Sequence, residues 1–154
     1  MVEVNNLTRV KIDKNFLKKA AKKVLKSEKK NIELSIVLVE EDEIHKLNKK
    51  YRKKDCPTDV LSFLYSNKSG EIVICPKAVK ENAKKFGSAF KKELTQVLIH
   101  GILHLLGYDH EAGKKEKEKM LGKERYYLAK FPARNASPAR NAVSTAGWHS
   151  DAGG

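Results

Sequence analysis

The sequence is poor in the features that mark several large protein classes. Cysteine occurs twice, at Cys56 and Cys75, with no C-x-x-C pair. This excludes a disulfide framework and a cysteine-based zinc ribbon, and both thiols are expected to be buried. No apolar run approaches the roughly 20 residues a membrane-spanning helix needs. The N-terminal stretch MVEVNNLTRVKIDKN interleaves charges with its apolar residues. It lacks the unbroken apolar segment and cleavage site of a secretory signal, so a cytoplasmic location is expected. In that compartment the N-x-[ST] matches at Asn6, Asn67 and Asn135 are chance occurrences rather than glycosylation sites. Acidic charge is also scarce: 19 Asp and Glu stand against 32 Lys and Arg, for a net charge of +13. The segment after Phe131 contributes little to that excess, carrying only Arg134, Arg140 and Asp151. Two readings of the charge stand side by side. One is a polyanionic partner, bound with release of counterions. The other is a Lys- and Glu-rich surface of the kind that heat-tolerant hosts favour.

What is present suits one folded domain. A chain of 154 residues, 40% hydrophobic and 33% charged, can bury a modest core and is not disordered by composition. Val2 to Asn5 is predicted as a short strand. Asp13 is placed to cap a helix over 14–27, where Phe16, Leu17, Ala20, Ala21, Val24 and Leu25 recur at helical spacing. Ile32 to Val39 alternates as a strand does, with Leu34, Ile36 and Leu38 on one face. A helix from about Glu40 to Lys50 starts acidic and ends basic, as its dipole favours. VLSFLY and EIVIC are β-rich runs joined by a hairpin linkage over Ser66 to Gly70. Pro76 opens a helix that Gly87 closes. Residues 90–106 form the most apolar helix, central and buried, ended by Gly107. A last helix over 114–128 carries alternating Lys and Glu. These elements, without strict strand–helix–strand alternation, imply an α+β fold: a small mixed sheet covered by about five helices. Residues 1–131 are read as the single domain. Residues 132–154, rich in Ala, Ser, Asn and Gly, are read as a flexible tail or an expression remnant.

The segment HGILHLLGYDH carries the chemistry. His100 and His104 are four apart and share one helix face, while Gly107 lets the chain leave the helix so that His110 can return as a third ligand. The spacing H-x-x-x-H-x-x-G-x-x-H is that of the metzincin zinc proteases, and three nitrogen ligands leave a fourth position for water. Position 101, however, is glycine where those proteases need a glutamate as general base, which disfavours peptide hydrolysis. A bound zinc could still supply hydroxide or polarise a phosphoryl oxygen. The bland alternative is three packed core histidines, and the spacing around a helix-ending glycine argues against it.

That segment resembles the signature H-G-x-L-H-L-x-G-Y-D-H of the YbeY family of bacterial endoribonucleases. Two further stretches agree: LNKKYRKKDCPTDVLSF at 47–63, and GEIVIC at 70–75, with glutamate where the family commonly has aspartate. The similarity spans about residues 1–130. It implies that His100, His104 and His110 bind one zinc ion and that Arg52 is the functional arginine near it. It further implies cleavage of single-stranded RNA, maturation of the 3′ end of small-subunit ribosomal RNA, a part in ribosome quality control, and the small ribosomal subunit as partner. For Arg52 there is also a physical rationale, because a guanidinium matches phosphate geometry. Its surroundings, Lys49-Lys50-Tyr51-Arg52-Lys53-Lys54, interleave an aromatic with cations as single-strand binders do. A basic helix end complementing the dipole is the alternative.

Asp109 could fix a ligand histidine's tautomer or cap its own turn. Glu93, seven residues before His100, is read first as a solvated first-turn glutamate and only second as a partner of the ligands. Thr58 and Asp59 anchor the turn into the following strand, and His45 and His149 are expected at the surface. Two rival functions remain: a metallopeptidase on the same spacing, and a non-catalytic zinc-containing ribosome-associated RNA-binding factor.

Overall fold

A computed structural model describes residues 1–131, so the reading of 132–154, with Asn135 and His149, lies outside the described residues. Nine elements follow in the order β1 (Val2–Asn6), α1 (Lys14–Ser27), β2 (Glu33–Leu38), α2 (Glu41–Arg52), β3 (Val60–Ser66), β4 (Ser69–Ile74), α3 (Pro76–Phe86), α4 (Phe90–Leu105) and α5 (Lys114–Leu128). The four strands make one sheet in the order β1-β2-β4-β3. β2 runs parallel to both β1 and β4, and β3 returns antiparallel to β4. The expected mixed sheet with five helices is therefore what forms.

Period-two alternation divides the core between the two sheet faces. Leu34, Ile36, Leu38, Val60, Ile72 and Ile74 join the larger cluster with α1 and α4, whereas Val39, Leu61 and Val73 pack with Ile44 of α2 and Cys75 on the other face. Asp13 caps α1, its carboxylate accepting from the Phe16 amide at 3.0 Å, an interaction worth about 1 kcal/mol. α5 packs on α4 and forms an outer layer over it. Among the described residues no helix is long and apolar enough to cross a membrane.

Four local expectations are corrected. The β3–β4 turn is tighter than read, since the strands extend through Ser66 and from Ser69, leaving Asn67 and Lys68 as the turn. Gly70 is thus a strand residue, and its lack of a side chain is explained by Leu105, whose Cδ1 would lie 3.1 Å from an added Cβ. α2 continues two residues past Lys50 to Arg52, and Lys53 then ends it in the left-handed region at φ 62°. Of the two cysteines only Cys75 is buried; Cys56 is exposed, in the loop that precedes β3. Its backbone carbonyl anchors that loop, accepting from Asn48 Nδ2 at 2.8 Å, and its Sγ lies 3.9 Å from the same nitrogen.

Candidate metal centre

α4 lies across the sheet because it has a side chain missing where contact is closest. A Cβ on Gly101 would stand 3.1 Å from Ser62 Oγ and 3.2 Å from Ile72 Cγ2. The Ser62 hydroxyl donates to the Gly101 carbonyl at 3.1 Å, fastening helix to strand. Position 101 therefore faces the sheet and holds no room for the glutamate of a zinc protease. His100 and His104, on another face of α4, are brought within 5.8 Å of one another between ring centroids.

His110 completes the group. The helix stops at Leu105, and Gly107 takes φ 100°, a conformation that few residues but glycine adopt without strain. The Gly107 amide donates to the His104 carbonyl and the Tyr108 amide to that of Leu103, both at 3.1 Å, so the chain turns back sharply over the helix end. The His110 ring then lies 5.4 Å from that of His100 and 5.9 Å from that of His104. One nitrogen from each ring lies within 4.8 Å of the others. Around a tetrahedral ion with metal–nitrogen bonds of 2.0–2.1 Å such nitrogens would stand about 3.4 Å apart. The donor set also fits a metal on a separate ground: His110 Nδ1 is shut off from solvent and has no hydrogen-bond partner among the described residues. A buried nitrogen left in that condition is costly unless something else occupies its lone pair.

Glu124 is the residue that sequence reasoning missed. It projects from α5, buried, and its Oε2 lies 2.8 Å from His100 Nδ1. With Nδ1 engaged, His100 presents Nε2 to the cluster, the arrangement in which an outer carboxylate sets the tautomer and orientation of a ligand imidazole. Burial holds the His100 pKa below its ordinary value despite the opposing pull of Glu124, which keeps the ring neutral and able to donate a lone pair. In the sequence Glu124 is one of many glutamates in a Lys/Glu-rich helix. The only signal for it is position, since it shares the buried stripe with Met120 and Tyr127.

Asp109 does not take that part. It is exposed, and its carboxylate accepts from the Glu111 amide at 2.9 Å, capping its own turn. Glu93 is not the solvated residue expected but fully buried, and its charge acts on Asp59, also buried. Burial, with Glu93 adding to it, raises the Asp59 pKa from 3.8 to about 7. Asp59 accepts from Asn82 Nδ2 at 3.2 Å and tethers the start of β3 to α3. His45 is partly exposed and pairs with Asp55 at 2.7 Å. Arg52 ends α2 half-buried, with its Nη1 shielded from solvent. A cleft of about 540 Å³ on the α2 face of the sheet contains none of the three histidines, and Glu40, Asp42, Glu43 and Glu71 among its lining residues make it unsuited to a phosphate chain.

Fold and site together define a class: an α+β protein in which a buried helix and the turn after it gather three imidazoles able to hold one transition-metal ion, with a carboxylate behind the first. Comparison with known proteins narrows the class. The family model described as "Endoribonuclease YbeY" matches residues 3–132, and the chain belongs to that family. It is 45% identical over 114 residues to the Endoribonuclease YbeY of Thermotoga petrophila, a match covering 73% of this chain and 76% of that one. With the Endoribonuclease YbeY of Aquifex aeolicus it is 42% identical over 107 residues, covering 66% and 71%. The solution structure of TM1509 from Thermotoga maritima superposes with a TM-score of 0.65 at 35% identity, covering 92% of this chain and all of that one.

Proposed function

We propose that this protein is a zinc-dependent endoribonuclease that cuts single-stranded RNA, acting in the cytoplasm on ribosomal RNA of the small subunit, at its 3′ end, and in ribosome quality control. His100, His104 and His110 are the metal ligands, and Arg52 is the catalytic arginine. The observation that carries the reading is the convergence of three imidazoles, one of them braced by Glu124, in a chain whose relatives are named endoribonucleases. The net charge of +13 agrees with a polyanionic substrate.

When bound, the ion would supply Lewis acidity and a site for water at neutral pH. The chain's own residues do the rest. His100 is kept neutral by burial and aimed by Glu124. Gly107 returns the chain so that His110 closes the third side. Arg52, at the basic end of α2, pairs its guanidinium with a phosphate of the substrate and steadies charge that develops there. Gly101 opposes the peptidase reading, since a general-base glutamate at that position would run into Ser62 and Ile72.

The test is cleavage of a single-stranded RNA oligonucleotide by purified protein, beside the same sequence in a duplex. His104→Ala and Arg52→Glu should each abolish cleavage of the single strand. Activity equal to wild type in both variants would refute the site. Metal-dependent folding with ribosome binding and no cleavage would instead support the non-catalytic ribosome-associated factor.

A further inference from the structure

We propose that Glu28 is a positioning residue of the three-histidine site, acting through Tyr108 and α5 without touching the ion. The inference rests on the metal-site reading above and deepens it. Glu28 follows the last turn of α1, far in sequence from the histidines. Its side chain is only 9% exposed, and three donors converge on it. The Tyr108 hydroxyl donates to Oε1 at 2.8 Å, Lys123 Nζ donates to Oε2 at 3.1 Å, and the Tyr127 hydroxyl donates to Oε2 as well.

These donors come from the two segments that build the site. Tyr108 lies two residues before His110, in the turn that returns the third ligand to the cluster. Lys123 and Tyr127 flank Glu124, the partner of His100. Local backbone bonds and the Asp109 cap shape the turn, but Gly107, Asp109, Glu111, Ala112 and Gly113 are exposed and both glycines take positive φ, so these residues do little to pin it to the body of the protein. Tyr108 is the half-buried side chain of that stretch which reaches the core cluster. One carboxylate therefore sets both the placement of His110 and the approach of α5 that carries Glu124. Burial would raise the Glu28 pKa, but the three donors outweigh it and hold the pKa below its ordinary value, so the anchor stays charged.

A plain structural tie would cost stability and nothing more, so the test must read the site. Metal-free protein is titrated with cobalt(II) against a competing chelator, and the visible absorption of the bound cobalt reports coordination. Glu28→Ala should weaken cobalt binding at least tenfold, the lower end of the effect of outer-shell partners, and change the cobalt spectrum. Tyr108→Phe should give part of that loss. Glu28→Gln keeps an acceptor oxygen and should recover most of the affinity. Val4→Ala in β1, away from the site, serves as a destabilised control with wild-type affinity. In the metal-free protein, hydrogen exchange over 107–113 should quicken at least tenfold in Glu28→Ala while the sheet is unchanged. Should Glu28→Ala not fold, Tyr108→Phe decides. Wild-type affinity and spectrum in the folded variants would overturn the proposal even where the melting temperature falls. Failure of the wild-type protein itself to take up cobalt would overturn the metal-site reading and this inference with it, and needs no variant to be seen.

Discussion

Removing the carboxylate of Glu124 perturbs the three-histidine site without removing a proposed ligand. Its Oε2 lies 2.8 Å from His100 Nδ1, and the two side chains are 7% and 6% exposed, so water cannot readily replace the bond. Losing such a partner lowers metal affinity about 10- to 100-fold, or roughly 1.4–2.7 kcal/mol. In the metal-free protein, Glu124→Ala also strands a buried ring nitrogen, at a stability cost of about 1–3 kcal/mol. Glu124→Gln can still accept through its amide oxygen and should fall between the variant and wild type. His100→Ala, which deletes a proposed ligand, should lose more affinity than either. Competition with a chromophoric chelator at fixed pH and salt gives the affinities, and urea unfolding in excess chelator gives the stabilities. An affinity within twofold of wild type for Glu124→Ala would show that the carboxylate does not orient the ligand.

Two more predictions concern the surroundings of the site. Folded Asp59 takes its proton at about 7, against about 3.9 when unfolded. Between those values the folded state binds more protons, so this group makes stability fall as pH rises from about 4 to about 7, at no more than about 1.4 kcal/mol per pH unit, and adds no slope above that. Asp59→Asn should therefore gain on wild type across that window in urea unfolding, and a difference that does not vary with pH would contradict it. At Gly101, alanine gains about 1 kcal/mol of helix propensity but must push Ser62 and Ile72 aside, at about 1–3 kcal/mol. A net loss of up to about 2 kcal/mol is expected, with Gly101→Glu losing more than about 4 kcal/mol and gaining no peptidase activity. A Gly101→Glu variant as stable as wild type would show that the helix does not need this close approach.

How much of this was legible in the sequence depended on whether a signal was local. Histidines at i and i+4 followed by a helix-ending glycine are a local pattern, and HGILHLLGYDH folds as its spacing implies. Alternation in β2 and apolar periodicity in α1 likewise report directly on burial, and the density of apolar residues in α4 marks it as buried nearly all round. Glu124, Glu28, Asp59 and Glu93 were not legible in this way. Each is an ordinary acidic residue whose meaning comes from partners on another element, such as His100 for Glu124 and Tyr108 for Glu28. Gly70 and Gly101 are a similar case. One was read as a turn and the other as a missing general base, and both mark where α4 meets the sheet. The two cysteines differ for the same reason: Cys75 directly follows a buried strand and leads into α3, whereas Cys56 sits in a loop held by Asn48 through the Cys56 carbonyl.

Whether three imidazoles share one ion is tested most directly by metal content. Protein purified without chelators and loaded with zinc should hold one ion per chain by elemental analysis. His100→Ala, His104→Ala and His110→Ala should each lose it while keeping wild-type helix content by circular dichroism. Full metal retention by any one of these variants would contradict the account.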